Sequence, residues 1–425
     1  MAWTAPERLA LTSLLHGGPT PDIGQYTVLE LGCGVGANLI PLAYYRPQAQ
    51  FTGMDLDRQQ INIADARSHA LHQPNLRFKH LDLQHLDQLL DQLKAGPFDF
   101  ILVHDLVSKV PLETLDSLLA TCQSMLSEQG LLYLNYDCKP GWNIRGMVRE
   151  YLLAHTQDLD SLSDKMHQAQ IAAAKMVRSL SANLHPYSQL LVAEFRLVGD
   201  ADSHELARTY LNPYQAAYWR SELNDWARQF GLHYVADADY NTSEHHHTAK
   251  LRKQIESQDL VGTNLADTED LLNYRLSHAP IFCRQPIHIR QHAPDKIARL
   301  NIAACLHPVG PHRPGWYQHP SGYQLQASEP EMSGIFDRLL PLWPDSTPLA
   351  HLPEPWEPHL NDLVELHHSG LLELRIPNAT GSSTGTGNRS ESTLPDTQNS
   401  LNPLNQLELE WQHYYTTARH HPVSR

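Results

Sequence analysis

The chain has few cysteines, no long apolar run and fewer positive than negative side chains. Its five cysteines among 425 residues form no C-x-x-C pair, so their spacing indicates neither a zinc site nor a disulfide framework. No stretch approaches the roughly 18 consecutive apolar residues that a membrane-spanning helix needs. The first residues mix acidic and basic side chains and lack the apolar core of a signal peptide. We therefore expect a cytoplasmic protein with reduced thiols, no bound metal and no membrane insertion.

Positive charge is scarce. The chain has 32 Lys and Arg against 47 Asp and Glu, which gives a formal net charge of −15. Binding to phosphates needs clustered lysine and arginine, so this balance argues against a nucleic-acid partner. Histidine is abundant, with 27 in total and a consecutive run at 245–247. Such a run could bind a metal, but consecutive side chains of a helix or strand cannot all face one point, which favours a polar loop.

The first 136 residues contain an alternation of short apolar runs and amphipathic segments. Strands that alternate with helices predict βαβ units and a parallel sheet, and right-handed crossovers place helices on both of its faces. The predicted fold class is α/β, with a doubly wound, Rossmann-like sheet. The predicted strands are 28–31, 51–55, 76–81, 98–103 and 131–136, and the predicted helices are 36–45, 58–72, 84–95 and 112–127.

Beyond residue 136 strand signals become rare and the chain divides into further units. Its length and its 41% hydrophobic residues suit two or three domains with cores of their own. A stretch rich in Gly, Ser, Thr and Asn after residue 376 has the composition of a flexible linker. The predicted organisation is an α/β domain at 1–245 with a helical insertion at 155–210, a polar helical connector at 246–295, a small α+β module at 296–376, a linker at 377–402 and a tail at 403–425.

Three closely spaced glycines, Gly32, Gly34 and Gly36, lie between the first predicted strand and the helix that follows it. Glycine at such a turn lets the backbone bend tightly and approach a ligand. A turn of this kind can bind S-adenosylmethionine. The stretch also fits the G-x-G-x-x-A pattern through Ala37, so a nicotinamide dinucleotide is the alternative ligand. Glu30 precedes the glycines and favours S-adenosylmethionine, because a carboxylate there repels a pyrophosphate but suits the amino-acid end of S-adenosylmethionine.

Two more carboxylates follow in the order that a nucleoside site requires. Asp55 ends the second predicted strand, where it can accept hydrogen bonds from ribose hydroxyls. Asp82 follows the third strand, where it could accept one from an adenine amino group. Each residue alone could be a helix cap or a surface acid, but the ordered set favours S-adenosylmethionine as cofactor. The residues assigned to its binding are Glu30, Gly32, Gly34, Gly36, Asn38, Asp55, Asp82 and His104.

His104 and Asp105 directly follow the fourth predicted strand. Ligands of open α/β sheets bind at the carboxyl ends of the strands, so both side chains are candidates for a methyl-transfer pocket. The alternative is that Asp105 caps the next segment while His104 packs in the core. The sequence leaves both interpretations open.

Residues 135–147 carry the run Asn-Tyr-x-x-x-Pro-Gly-Trp-Asn-x-Arg-Gly-Met after the fifth predicted strand. Together with the segments 28–43 and 204–238, this run resembles bacterial methyltransferases that have a methyltransferase regulatory domain, among them the rickettsial-type protein lysine methyltransferases. Segments 331–349 and 364–375 resemble the C-terminal winged-helix module of that family, and 401–423 resembles its closing segment. The resemblance covers most of the chain.

The resemblance implies a class I methyltransferase that uses S-adenosylmethionine to methylate lysine side chains of a protein partner. It implies catalytic roles for Tyr136, Asp137 and His104 around the methyl-transfer pocket. The family pattern has an amide at the position of Asp137 and a hydrophobic or aromatic residue at the position of Lys139. A small-molecule methyltransferase and a cofactor-binding interaction protein without activity are the alternatives, and the sequence does not indicate an oligomeric state.

Overall fold

The structure, a computed structural model, describes residues 3–81, 97–238, 264–287, 294–327 and 329–377. Asp82, the predicted helix at 84–95, the histidine run at 245–247 and residues 378–425 lie outside the described residues. The helices are α1 (Pro6–Leu15), α2 (Leu39–Tyr45), α3 (Arg58–Ala70), α4 (Leu112–Met125), α5 (Gly141–Thr156), α6 (Leu162–Leu180), α7 (Pro186–Asp200), α8 (Arg220–Gln229), α9 (Leu265–Leu272), α10 (Pro294–Ile297), α11 (Pro330–Leu339) and α12 (Leu360–His368).

The strands are short, and most lie in one sheet. They are β1 (Thr27–Leu31), β2 (Gln50–Asp55), β3 (Leu76–His80), β4 (Phe98–Val103), β5 (Leu126–Leu134), β6 (Tyr136–Asp137), β7 (His233–Asp237), β8 (Ser277–His278), β9 (Pro280–Cys283), β10 (Asn301–Ala303), β11 (His307–Pro308), β12 (Trp316–Gln318), β13 (Gln324–Gln326), β14 (Thr347–Pro348) and β15 (Glu373–Arg375).

A seven-stranded sheet organises the α/β domain, with the strand order β3–β2–β1–β4–β5–β9–β7. The neighbours from β3 to β5 pair in parallel, so their carboxyl ends share one edge. β9 runs antiparallel to both β5 and β7. The predicted doubly wound α/β sheet is confirmed, and the antiparallel strand inserted near its end is a feature that the alternation of strands and helices did not predict.

Both faces of this sheet are buried, which explains why its strands are continuous apolar runs. Successive residues of a strand point to opposite faces. Val28 and Phe100 therefore join one buried cluster, whereas Leu29 and Ile101 join a second cluster on the other face. A polar cap fixes the start of α3, where the Asp57 carboxylate accepts the Gln59 N–H at 2.8 Å.

The connector predicted at 246–295 includes four residues that belong to the large sheet instead. Residues Pro280–Cys283 form β9, and all four are buried between β5 and β7. The prediction missed this strand because its apolar run has only four residues and polar segments flank it on both sides. The α/β domain therefore does not end at residue 245, since its sheet needs a strand from beyond that point.

The helical insertion begins earlier than its predicted start at residue 155. Helix α5 starts at Gly141, and its buried residues Val148 and Leu152 share a core with Ala169 of α6 and Phe195 of α7. A helical turn at Ser203–Glu205 and a π-helical turn at Leu206–Tyr210 then return the chain to the sheet. None of the helices that the structure describes is long and apolar enough to span a bilayer.

The C-terminal module has a core of its own that includes part of α1. Strands β14, β10 and β15 form an antiparallel sheet, and α11 and α12 pack beside it, within the α+β module predicted at 296–376. Leu11 and Leu15 of α1 join this core, whereas Leu9 joins a core of the large sheet. Helix α1 therefore links the two units, and the winged-helix assignment stays a prediction.

Candidate active site

The loop after β1 adopts a backbone conformation that only glycine accepts readily. Gly32, Gly34 and Gly36 have φ angles of 78°, 53° and 76°, in the left-handed region. At Gly36 a β-carbon would also lie 2.6 Å from Cζ of Phe78, closer than real contacts allow. The Gly32 N–H donates to the Met54 carbonyl at 2.8 Å, which anchors the loop on β2. The predicted glycine turn thus lies at the carboxyl edge of the sheet in a left-handed conformation that contacts with β2 hold in place.

Asp55, at the end of β2, holds this loop in place. One carboxylate oxygen accepts the Gly34 N–H at 2.8 Å, and the other accepts the Asp57 N–H at 2.9 Å. A carboxylate has about four acceptor positions, so each oxygen can accept a further hydrogen bond. Asp55 can therefore shape the loop and bind ligand hydroxyls with the same group.

Glu30 is the most unusual group at this edge. Only 3% of the residue is exposed, and its Oε1 accepts a hydrogen bond from Asn38 Nδ2 at 2.9 Å. Asn38 in turn accepts one from the Thr4 hydroxyl at 2.8 Å. Among the described residues no group donates to the buried Oε2 of Glu30. Burial raises the pKa of Glu30 to about 8, against the opposing hydrogen bond from Asn38.

These features fit the amino-acid end of S-adenosylmethionine. A buried acceptor oxygen without a donor is costly, and a ligand ammonium group would satisfy it. The glycines beside it carry no side chains of their own and adopt left-handed conformations. The sequence placed Glu30, Gly32, Gly34, Asn38 and Asp55 in one site, and the structure brings all five together at one edge of the sheet.

His104 follows β4 and lies on the other side of the same edge. Its Nδ1 is 3.0 Å from the Tyr133 hydroxyl, and the two rings stack with centroids 5.9 Å apart. Burial, together with the positive charges of Arg208 and Lys109, lowers the pKa of His104 to about 3. The imidazole is therefore neutral at physiological pH and a weak base, which favours a role as a wall or hydrogen-bonding group.

Asp105 has a left-handed backbone, with a φ of 57°, and pairs with two cations. Its carboxylate accepts from Lys109 Nζ at 2.5 Å and from the Arg208 guanidinium, which comes from the π-helical turn. Burial lowers the pKa of Lys109 to about 8, although the Asp137 carboxylate opposes this shift. Lys109 thus interacts with Asp105 on the loop after β4 and with Asp137 on the loop after β5.

Asp137 lies on that second loop. Its backbone N–H donates to the Ser108 hydroxyl at 2.8 Å, and its Oδ2 accepts from Gln215 Nε2 at 2.5 Å. Burial raises the pKa of Asp137 to about 6, even though Lys109, Gln215 and Arg145 all favour its charged form. The carboxyl group therefore titrates near neutral pH, as a general base requires.

Tyr136 points to the other face of β6 and is only 2% exposed. Its ring packs against His278 and Tyr218, with centroid distances of 5.7 and 6.4 Å. This burial favours a packing role, and its predicted catalytic role stays a prediction. The two neighbouring residues that the sequence grouped as catalytic thus have different surroundings in the fold.

Behind Tyr136 lies a buried ionic cluster that ties distant segments together. His278 Nε2 is 2.9 Å from Asp270 Oδ2, and His278 Nδ1 is 3.3 Å from Asp237 Oδ2. Burial lowers the pKa of His278, but Asp237 and Asp270 outweigh it, so the pKa lies well above its ordinary value. Cys138, Asp270 and His278 are a buried set close enough to share a metal ion, but the histidine and the aspartate already pair directly.

The sequence did not reveal several charged and polar side chains that lie near the loops after β4 and β5. No local pattern marks them, because all but Lys109, which lies on the loop after β4, come from segments far along the chain from the loops after β4 and β5. The only available signal was that Asp237 ends an apolar strand, as Asp55 does. The missed residues are Lys109, Arg208, Gln215, Asp237, Asp270 and His278. Asp82 lies outside the described residues.

Comparison with known proteins agrees with this geometry. Residues 29–132, from β1 to β5, match the methyltransferase domain family. The uncharacterised protein RP028 of Rickettsia prowazekii (strain Madrid E) is 31% identical over 204 residues, which are 48% of this chain and 80% of that protein. RP789 of the same organism is 28% identical over 314 residues, which are 73% of this chain but only 55% of RP789. The chain thus spans about half the length of that relative.

Among solved structures, PKMT2 from Rickettsia typhi superposes with a TM-score of 0.71. The match covers 88% of this chain and 76% of PKMT2 at 21% sequence identity. The same enzyme in complex with AdoHcy gives a TM-score of 0.68 over the same shares. At this identity the likeness establishes a shared fold. The relationship to RP028, of which the match covers 80%, places the two proteins in one family, and the match at residues 29–132 identifies a methyltransferase domain in this chain.

Proposed function

We propose that the chain is an S-adenosylmethionine-dependent methyltransferase that methylates lysine side chains of a protein. The observation that carries the proposal is Asp137, a buried carboxyl group whose pKa of about 6 suits proton transfer, at the carboxyl edge of the sheet. The likeness in fold to PKMT2 of Rickettsia typhi supports lysine as the acceptor.

The glycine loop and Glu30 would hold the cofactor. When bound, S-adenosylmethionine supplies an electrophilic methyl group on a positively charged sulfur. Glu30 would accept hydrogen bonds from the ligand ammonium group at its vacant Oε2, and Asn38 keeps its carboxylate in position. Asp55 would bind ribose hydroxyls, and Asp82 would bind the adenine amino group.

Asp137 would prepare the acceptor. A lysine ammonium has an ordinary pKa of about 10.4, so it must lose a proton before its nitrogen can attack. Asp137 would attract the ammonium, favour its entry and accept its proton. Gln215, which donates to Asp137, and Lys109 nearby would orient this carboxylate. His104 would line the pocket as a neutral wall, and Tyr136, predicted as catalytic from the sequence, would support the loop after β5 from the buried side.

Transfer of label from S-adenosylmethionine tests this proposal directly. The purified chain is incubated with methyl-labelled cofactor and a bacterial lysate, and labelled protein is hydrolysed and analysed for methyllysine. The proposal expects methyllysine from the wild type and very little from Asp137→Asn. Label in a small metabolite would instead identify a small-molecule methyltransferase. Cofactor binding without label in either fraction would identify an inactive interaction protein.

We also propose that the C-terminal module, whose core lies between Ile297 and Leu374, docks the protein substrate. Its predicted winged-helix character does not require nucleic acid, since folds of this kind serve many partners. Helix α11 carries one arginine and two acidic residues between its ends, which is a poor match for phosphates. We also propose that the protein is located in the cytoplasm.

A further inference from the structure

A cleft of about 440 Å³ opens beside the loops after β4 and β5. Its walls are residues 110–113 and 214–218 with Lys139 and Glu222, and we call it the acceptor cleft. Ala216 N–H donates to the Ser108 carbonyl at 2.8 Å, and Tyr218 N–H donates to the Asp137 carbonyl at 3.0 Å. These bonds fix the floor of the cleft to both loops at the carboxyl edge of the sheet.

The acceptor cleft has the chemistry of a site for a cation on an aliphatic stem. Glu113 and Glu222 supply two exposed carboxylates, and Tyr214, which is 53% exposed, supplies an aromatic ring that attracts cations. Leu112, with 55% of its surface exposed, offers apolar contact for methylene groups. An alkyl ammonium side chain is the natural protein group that combines these two needs.

Gln215 adds an independent sign of a missing donor. It lines the cleft, and its Nε2 donates to Asp137, which orients the amide because an ionised carboxylate can only accept. Its Oε1 is buried, and within the described part of the chain no group donates to it. An ammonium group entering from the cleft would satisfy this oxygen and would then lie one side chain away from Asp137.

An internal lysine already uses one of the two carboxylates. Lys139 Nζ is 3.5 Å from Glu222 Oε2 at the rim of the cleft. We propose that the acceptor cleft binds the basic segment of the protein substrate around its target lysine, and that Lys139 competes with this segment for Glu222. The inference deepens the proposed lysine methyltransferase function and rests on it. Lys139 is then a specificity-determining residue that weakens the binding of cationic chains.

Binding of a cationic peptide tests the inference without methyl transfer. Fluorescence anisotropy would follow fluorescein-labelled hexalysine with the full chain at low ionic strength. The double variant Glu113→Gln/Glu222→Gln should bind it about tenfold more weakly, since each charged contact contributes about 0.5–1 kcal/mol. Lys139→Met should bind it about threefold more tightly. Glu128→Gln, at the amino end of β5, makes the same charge change as each single variant, Glu113→Gln or Glu222→Gln, is their matched control, and should bind like the wild type.

The outcomes separate this inference from the proposed function. Equal hexalysine affinity in the wild type, the double variant and Lys139→Met would overturn the inference, even if methyllysine forms. A loss confined to the double variant, with unchanged thermal unfolding, supports the cleft even if no methyl group is transferred. Binding weakened as much by Glu128→Gln would show a general response to net charge and would also overturn it.

Discussion

The two sides of the catalytic edge are built in opposite ways. On the cofactor side, residues 30–38 supply nearly every group, and the backbone itself forms the surface through three left-handed glycines. On the acceptor side, Asp137, Lys109, Arg208 and Gln215 come from four segments and meet only through side-chain contacts. The cofactor side thus depends on the backbone conformation of neighbouring residues, whereas the acceptor side depends on charged and polar side chains from segments that are distant in sequence.

This difference has a physical consequence for how each side tolerates change. Backbone conformation depends on neighbouring residues, so the cofactor side fails when a single residue cannot adopt its φ angle. The acceptor side depends on buried ion pairs, where removal of one partner leaves an uncompensated charge. We therefore expect substitutions on the acceptor side to cost more stability, and substitutions on the cofactor side to act mainly through ligand binding.

His278→Ala should have the largest effect. It removes the cation between Asp237 and Asp270 and leaves two buried carboxylates facing each other. Loss of one partner from such a network costs about 3–5 kcal/mol in the free energy of unfolding, measured by urea denaturation. His155→Ala, at an exposed histidine of α5, is the control and should cost under about 1 kcal/mol. An unfolding free energy equal for the two variants would show that the cluster does not hold the acceptor side together.

Glu30→Gln should abolish a pH dependence of stability. The folded pKa of about 8 exceeds the ordinary 4.5, so between these values the folded state binds a proton that the unfolded state has lost. Stability of the ligand-free wild type should therefore fall as the pH rises from 5 to 7.5, by an amount on the order of 3 kcal/mol. The amide cannot ionise, so the variant should lose this part of the pH dependence and keep the parts due to other groups, such as Asp137 and His278. Parallel urea-denaturation profiles for both proteins would contradict the buried, protonated carboxyl group.

Asp137→Asn should reduce turnover by at least about 100-fold, equivalent to roughly 2.7 kcal/mol, and leave cofactor affinity unchanged. The wild-type rate should rise with pH as this carboxyl group ionises around pH 6, and the variant should lose that limb. Tyr136→Phe sharpens the test, since a hydroxyl near the acceptor nitrogen predicts a loss of turnover, whereas a packing role predicts almost none. Steady-state rates combined with calorimetric titration of S-adenosylhomocysteine distinguish turnover from binding.

Gly34→Ala should have the smallest effect on stability of the four and should act through the ligand. A β-carbon at a φ of 53° costs about 1–2 kcal/mol, and among the described residues its close neighbour is the side-chain end of Gln60, at 3.0 Å. Binding of S-adenosylhomocysteine should weaken, because the loop must shift. Gly199→Ala, in a helix with open space around it, should instead stabilise by up to about 1 kcal/mol. A Gly34 variant with wild-type affinity would contradict the assigned role of the loop.

The sequence was informative wherever a feature repeats within a few residues. The five strands from β1 to β5 follow from apolar runs between amphipathic helices, and the glycine loop follows from its spacing. It was uninformative for β9, a four-residue strand that is recognisable only by its neighbours in the sheet. It was also uninformative for the start of the helical insertion, because the core that Val148 and Leu152 share with α6 and α7 is visible only in the folded structure.

The amino-acid sequence by itself determined the class of sheet, the cofactor loop and the family, since these rest on local conformational preferences and on apolar periodicity. Only the tertiary structure separated Tyr136 from Asp137, brought Gln215 to Asp137, and placed His278 between two aspartates. The reason is that charge and hydrogen bonding act through space over a few ångströms, irrespective of separation along the chain. Gln215, which is 78 positions from Asp137 in the sequence, therefore contributes to the acceptor side, although no local sequence pattern predicts this contact.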